Sequence, residues 1–207
     1  MILYTYKNVY IRLILSKNRF EMKKEEVIIM SNLNCYDENM TVEWINDVKY
    51  MTPSPHPNHG IVYSELFNDF YNYLKGKSCK VFPDKTDLCL NNPNEPINIS
   101  DLKKPIVPDL FVICDNKFEL VGNNIVCIPD FICEIVSTSS IKMDNTIKKE
   151  LYLDKGVKEY LIVNYLDKTI KVYFENKEIN FSFEDEVKVN IFNNLTICLK
   201  DIELFEV

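Results

Sequence analysis

The chain has 207 residues, of which 46% are hydrophobic and 27% are charged, and its formal net charge is −7. This composition is typical of one folded domain with its own core, not of a disordered chain. The 4 glycines are too far apart for a dinucleotide-binding or P-loop motif, and 2 neighbouring histidines argue against multi-histidine metal sites and most Ser-His-Asp hydrolases.

Residues 1–30 are predicted to be a poorly ordered N-terminal extension, and residues 31–207 to form the folded domain. The opening stretch is apolar, but Lys7 and Arg12 interrupt it, so it fits neither a membrane-spanning helix nor a secretory signal. The 7 cysteines form no CxxC pair and lie mostly in apolar runs, which indicates buried thiols in a reducing compartment. We therefore expect a cytoplasmic protein without a membrane segment.

The predicted elements begin with a hairpin and a helix. The hairpin joins residues 41–45 to residues 48–51 through a two-residue turn. The helix is expected from about residue 59 to residue 75, with Asn58 as its cap and Gly76 at its end. Apolar residues at four-residue spacing predict its buried face: Val62, Leu66, Phe70 and Leu74.

Strands dominate the rest of the chain. Strand-like runs occupy residues 79–90, 106–115, 129–137, 159–164 and 169–176, and a hairpin follows at the carboxy terminus. A second helix is expected over residues 141–155, with Ile147 and Leu151 on its buried face and Gly156 at its end. This order predicts an α/β fold, a mixed β-sheet flanked by helices.

Two carboxylates interrupt buried strands. Asp109 precedes the run LFVIC, and Glu134 lies inside FICEIVS. An ionised carboxylate in a sheet core is costly unless it is paired or bound to metal. If the two strands are neighbours, alternation brings both carboxylates to one point. Such hard oxygen ligands suit Mg²⁺ or Mn²⁺, with the backbone carbonyl of Ile135 as a further ligand. The alternative is a structural ion pair, or a carboxyl whose pKa is raised by burial.

The second helix supplies a cation for the same place. Asp144, Lys148 and Tyr152 follow one another at four-residue spacing on one helix face. Lys148 can extend over the sheet toward the two carboxylates, and a lysine beside two metal-binding acids is a combination suited to phosphodiester hydrolysis. The alternative is a solvated helix face on which Lys148 pairs with Asp144.

From about residue 40 to its end, the chain resembles the Uma-type restriction endonuclease family of the PD-(D/E)XK nuclease superfamily. The resemblance rests on TPSPHPNHG at residues 52–60, VPD at residues 107–109, PDFICEIVSTSS at residues 129–140 and EYLIVN at residues 159–164. It implies a restriction-endonuclease-like core and a metal-dependent DNA endonuclease activity.

The resemblance also implies roles for single residues. Asp109 matches the aspartate of the PD motif, and Glu134 matches the second acid. Val136 occupies the position two residues later, where the superfamily pattern has lysine. In this branch the lysine is displaced to the next helix, where Lys148 matches it and Lys149 is the nearest competitor.

Accessory roles are expected for Glu65 on the first helix and for Asp87 in the strand-like run at residues 79–90. Asp130 is expected to contact the residues that bind the metal. Asp144 and Tyr152 are accessory candidates on the second helix. His59 is expected only to cap a loop.

The predicted partner is DNA, although a net charge of −7 is unfavourable for general binding to phosphates. A homodimer formed through the strand-rich carboxy terminus is a further expectation. The alternative function is a catalytically inactive binding or assembly module on the same fold. The presence of Asp109, Glu134 and Lys148 together favours the enzyme.

Overall fold

The computed structural model describes residues 2–6, 9–13, 40–45, 48–93, 95–137 and 140–206. The chain divides into two units, residues 1–36 and residues 37–207. In the first unit, β1 (Ile2–Tyr6) pairs antiparallel with β2 (Val9–Leu13). The other residues of the predicted extension lie outside the described ranges, so its poor order stays a prediction.

The second unit begins with the predicted hairpin. β3 (Met40–Ile45) pairs antiparallel with β4 (Val48–Pro53), and Ile45 stands opposite Val48. Residues 46 and 47, where the turn was predicted, lie outside the described ranges.

The first helix starts earlier than predicted. α1 (Pro57–Leu74) has His56 as its cap, whose Nδ1 accepts a hydrogen bond of 3.2 Å from the Asn58 backbone N–H. Proline at the first helical position loses no hydrogen bond, which explains the start at Pro57. Gly76, with a φ of +79°, follows the helix. The predicted buried face is confirmed, since its four apolar residues are all buried.

The remaining strands follow in chain order. They are β5 (Lys80–Phe82), β6 (Leu88–Leu90), β7 (Leu110–Ile113), β8 (Glu119–Val121), β9 (Asn124–Cys127), β10 (Phe131–Val136), β11 (Glu159–Asn164), β12 (Thr169–Phe174), β13 (Lys177–Ser182), β14 (Val187–Lys188) and β15 (Thr196–Ile197).

A six-stranded mixed sheet forms the centre of the unit. Its order is β13-β12-β11-β10-β7-β5, with β10 and β11 parallel and the other neighbours antiparallel. Separate small sheets contain β6-β9-β8 and β14-β15. The predicted α/β fold with a mixed sheet flanked by helices is confirmed.

One predicted strand is wrong, and two strands were not predicted. The run at residues 79–90 is divided between β5 and β6, which belong to different sheets, because residues 83–87 form a turn between them. The segment between the predicted strands at residues 106–115 and 129–137 contains a hairpin of β8 and β9. Such three- and four-residue strands are too short for a period of two to be recognised.

The two faces of the central sheet carry separate cores. α1 covers one face, where Phe70 packs against Phe131 with ring centroids 4.7 Å apart. The other face carries Ile132 and Val136, and Tyr152 packs there against Tyr160 at 5.2 Å. Glu134 lies two residues from both Ile132 and Val136, and side chains two residues apart on a strand point to the same side of the sheet. Glu134 therefore belongs to this second face.

The second helix covers that face in three pieces. They are α2 (Ile141–Met143), a π-helix (Asp144–Lys148) and α3 (Lys149–Lys155), and Gly156 follows with a φ of +93°. The predicted bounds of the helix are therefore confirmed.

The predicted buried face of this helix is confirmed in part, since Ile147 and Leu151 pack against the core. Ile147 and Leu151 are only half-buried, whereas Asp144, Lys148 and Tyr152 are 2%, 4% and 0% exposed. The polar row is buried because it meets the buried carboxylate of Glu134 on the sheet.

The prediction of free thiols is wrong for one pair of cysteines. Cys79 and Cys114 form a disulfide, because the antiparallel register that sets Lys80 opposite Ile113 continues to these two residues. Because the two cysteines are 35 positions apart, no local sequence pattern indicates that they pair. The thiols of Cys89, Cys127 and Cys133 are buried as predicted, whereas Cys198 is exposed.

Candidate active site

Asp109 and Glu134 meet at the border between β7 and β10. The antiparallel register sets Leu110 opposite Cys133, so its continuation sets Asp109 opposite Glu134. The backbone N–H of Ile135 donates a hydrogen bond of 2.7 Å to Oδ2 of Asp109. Both carboxylates line one cavity of about 150 Å³, together with Lys148 and the Ile135 segment.

Glu134 is held by two donors from the second helix. Its Oε1 lies 3.1 Å from Nζ of Lys148 and accepts a hydrogen bond of 2.7 Å from the Tyr152 hydroxyl. All three side chains are buried. A buried carboxylate needs such compensation, and these contacts also fix its orientation.

The π-helix aligns the donors with Glu134. In a uniform α-helix of 3.6 residues per turn, residues four apart drift by about 40° around the axis. A π turn contains more residues, so each residue advances by a smaller angle around the axis. From Asp144 to Lys148 the rotation is therefore less than one full turn, which compensates the drift in the α-helical part. Asp144 and Tyr152 thereby lie on the same side as Lys148, whose Nζ is 3.5 Å from Oδ1 of Asp144.

His59 enters the site from the first turn of α1. Its Nε2 lies 3.2 Å from Oδ1 of Asp109. Burial lowers the pKa of His59, but the hydrogen bond to Asp109 and the negative charges of Asp109, Asp84 and Asp144 together raise the pKa above its ordinary value of 6.5. The expectation that His59 only caps a loop missed this contact. The signal in the sequence was its position at a helix start beside a proline-rich loop.

Asp84 and Lys85 line the cavity from the turn after β5, and neither was a predicted site residue. The backbone of Lys85 has a φ of +60°, which marks the tight turn that returns the chain from β5. Asp87, the predicted accessory acid, is not among the lining residues. Its backbone carbonyl accepts the N–H of Ile125 in the neighbouring small sheet.

Of the other predicted accessory acids, Asp144 lines the cavity, whereas Glu65 and Asp130 lie outside its lining. Glu65 is exposed on α1. Asp130 accepts a hydrogen bond of 2.8 Å from the Cys114 backbone N–H and forms an ion pair with Lys158. Asp130 therefore ties β10 to the end of β7 and to the segment that precedes β11.

The charges around the cavity favour a divalent cation. Among the described residues, its lining contains four carboxylates, from Asp84, Asp109, Glu134 and Asp144, and two lysines. The formal charge of this lining is therefore negative whether His59 is neutral or protonated. The described residues contain no group of three or more His, Cys, Asp or Glu side chains arranged as a metal cage. Mg²⁺ does not need one, since it keeps several waters and binds proteins through one or two carboxylates, so Asp109 and Glu134 fit it.

Comparison with solved structures supports the fold. The chain is similar to a protein from Anabaena variabilis ATCC 29413 described as "a putative nuclease belonging to DUF820", with a TM-score of 0.63 and 18% identity. The match covers 78% of this chain and 89% of that chain. No curated protein matches the chain significantly.

Within the part of the chain that the structure describes, no helix is both long and apolar enough to span a bilayer.

The family model described as "Putative restriction endonuclease" matches residues 33–200. A match over this much of the chain agrees with the predicted resemblance and supports a nuclease-like function. The chain belongs to the Uma2 family of restriction-endonuclease-like proteins.

Proposed function

We propose that the protein is a metal-dependent DNA endonuclease that hydrolyses phosphodiester bonds with Asp109, Glu134 and Lys148. One observation carries this proposal: two carboxylates from neighbouring strands and a buried lysine from the following helix line the same cavity. A purely structural ion pair between Glu134 and Lys148 does not require a second acid, Asp109, in the lining of the same cavity. The DNA substrate is inferred from the family.

Asp109 and Glu134 would hold Mg²⁺ or Mn²⁺, with the Ile135 carbonyl as a third protein ligand. A divalent ion bound there supplies an acidic water and offsets the charge of the phosphate. Ile135 has a second task in this arrangement, because its N–H orients the Asp109 carboxylate.

Lys148 places one positive charge beside the reacting phosphate. Its Nζ is held between Glu134 and Asp144, at 3.1 Å and 3.5 Å. A buried ammonium group with fixed partners keeps its position when charge develops on the phosphate, and preorganised charge of this kind stabilises a transition state strongly. Tyr152 is a positioning residue, since its hydroxyl acts on Glu134.

A net charge of −7 limits unspecific attraction to DNA. Part of the negative charge lies at the site itself, where a bound cation would compensate it. The expected homodimer stays a prediction.

The test is cleavage of supercoiled plasmid DNA with Mg²⁺, with Mn²⁺ or with EDTA. We expect nicking or linearisation only with a divalent ion, and its loss in Asp109→Ala, Glu134→Ala and Lys148→Ala. Lys149→Ala is the matched control, because Lys149 is the neighbouring lysine and does not line the cavity.

Circular dichroism and a thermal melt of each variant separate loss of chemistry from loss of folding. Equal activity of all variants would identify a contaminating nuclease. A folded wild-type chain that cleaves no DNA with either metal would contradict the proposal and favour the inactive binding module.

A further inference from the structure

A row of aromatic rings runs along α1 from the candidate active site. Tyr63 and Phe67 have ring centroids 5.6 Å apart and planes 26° apart, and Phe67 and Tyr71 follow at 6.2 Å and 17°. The rings are therefore nearly parallel and continuous. We call Tyr63, Phe67 and Tyr71 the aromatic row.

The row begins at the cavity. Its four-residue spacing starts with His59, whose imidazole contacts Asp109. The backbone of Asp84, a residue of the cavity lining, hydrogen-bonds the Tyr63 hydroxyl. With a rise of about 1.5 Å per residue, each further ring lies about 6 Å farther along the helix from the site.

Exposure increases with distance from the cavity. Tyr63 and Phe67 are half-buried and pack against the core beneath α1, whereas Tyr71 is 50% exposed. Large aromatic side chains left exposed in a continuous row mark a binding surface more often than isolated ones do. The core does not explain Tyr71, because Tyr71 is not among the residues packed against it.

The charges near α1 are separated. Glu65 and Asp69 lie about 200° around the helix from Tyr63 and Phe67 respectively, since each residue advances about 100°. At the end of the row that begins at the cavity, Lys85 belongs to the cavity lining.

We propose that the aromatic row is a stacking platform that guides single-stranded DNA into the cavity. Aromatic rings bind unpaired bases regardless of sequence, because every base has a π-face. A chain with a net charge of −7 gains little from phosphate contacts, so base stacking supplies affinity that duplex DNA cannot obtain from these rings. The inference rests on the proposed function and names its substrate as an unpaired strand.

The test measures binding of fluorescein-labelled oligothymidine and of a duplex of equal length, both in EDTA. We expect the single strand to bind more tightly than the duplex. Tyr71→Leu should weaken single-strand binding about fivefold or more, within the range for loss of one stacked base, and Phe67→Leu should weaken it too. Tyr71→Phe keeps the ring and should bind as the wild type does. Phe205→Leu is the matched control, since Phe205 is 64% exposed outside the row.

Unchanged single-strand binding in Tyr71→Leu would overturn the proposal, as would equal or tighter binding of the duplex. A chain that binds no single strand, but self-associates in a way that Tyr71→Leu abolishes, would overturn it in favour of a protein interface. Because these measurements need no metal and no cleavage, their failure is distinguishable from failure of the plasmid assay.

Discussion

The Tyr152 hydroxyl donates a hydrogen bond of 2.7 Å to Oε1 of Glu134, across 18 positions of sequence. The same oxygen faces Lys148 Nζ at 3.1 Å. Two successive turns of one helix thus hold one carboxylate in the middle of a buried strand. Substitution of Tyr152 therefore tests the support of Glu134 separately from the charge of Lys148.

Tyr152→Phe should lower the free energy of unfolding by about 1.5–3 kcal/mol, the usual contribution of a hydrogen bond to a charged group. The ring remains, so its packing against Tyr160 is kept. Urea unfolding measures the change. Tyr71→Phe removes a hydroxyl from a half-exposed ring and serves as the control. A Tyr152→Phe variant as stable as the wild type would show that the hydrogen bond makes no net contribution.

Lys148→Met should destabilise the fold by about 3–5 kcal/mol, because it leaves two buried carboxylates without their cation. Glu134→Gln removes one of these charges. The double variant should lose about 0.5–3 kcal/mol less than the sum of the two single losses, as expected for residues in contact. A double-mutant cycle from urea unfolding measures this coupling. Strictly additive losses would contradict the ion pair.

Asp130→Ala should destabilise the fold by about 1–3 kcal/mol, because it removes the acceptor of the Cys114 N–H. Metal-dependent cleavage should persist below the melting temperature, since Asp130 does not line the cavity. Lys158→Met should cost less than about 1 kcal/mol, because the Lys158 side chain is 59% exposed. Loss of cleavage in a folded Asp130→Ala variant would give Asp130 a role in the reaction.

Mg²⁺ should raise the melting temperature of the wild type. A ligand that binds only the folded chain stabilises it by about 2.7 kcal/mol at a hundredfold excess over its Kd. The increase should disappear in Asp109→Asn and persist in Glu65→Gln, whose side chain is exposed on α1. Thermal unfolding at rising Mg²⁺ concentration measures it. An undiminished increase in Asp109→Asn would place the metal elsewhere.

Burial, together with the charge and hydrogen bond of Glu178, raises the pKa of Tyr173 to about 12. Because the folded-state pKa lies above the ordinary value of 10, the neutral phenol stabilises the fold below about pH 10, and this stabilisation is lost as the pH rises through about 12. Between about pH 9 and about pH 11.5, the wild type should lose roughly 1–2 kcal/mol more than Tyr173→Phe. Urea unfolding at both pH values measures the difference. Equal losses would contradict the shift.

Much of the fold was predictable because buried strands have a distinctive composition. β7, β10 and β11 are buried on both faces and are therefore almost unbroken apolar runs. A charged residue within such a run is conspicuous, which is how Glu134 was selected. The four-residue spacing of apolar residues likewise predicted the buried face of α1.

The same reasoning was incomplete for the second helix, because the spacing of apolar residues does not show which polar residues find partners in the core. Ile147 and Leu151 were expected to be buried, but Asp144 and Lys148 are buried more completely. A polar row is stable in a core only when complementary charge lies opposite, and that charge is Glu134, on another element.

The sequence by itself determined the central strands, both helices and the three residues proposed for catalysis, because each carries a local signal of composition or spacing. The resemblance of its motifs indicated the family. Only the tertiary structure decided that His59 contacts Asp109, that Asp84 rather than Asp87 lines the cavity, and that Cys79 pairs with Cys114. These are contacts between elements distant in the chain. They follow from strand register and helix packing, which local sequence patterns do not encode.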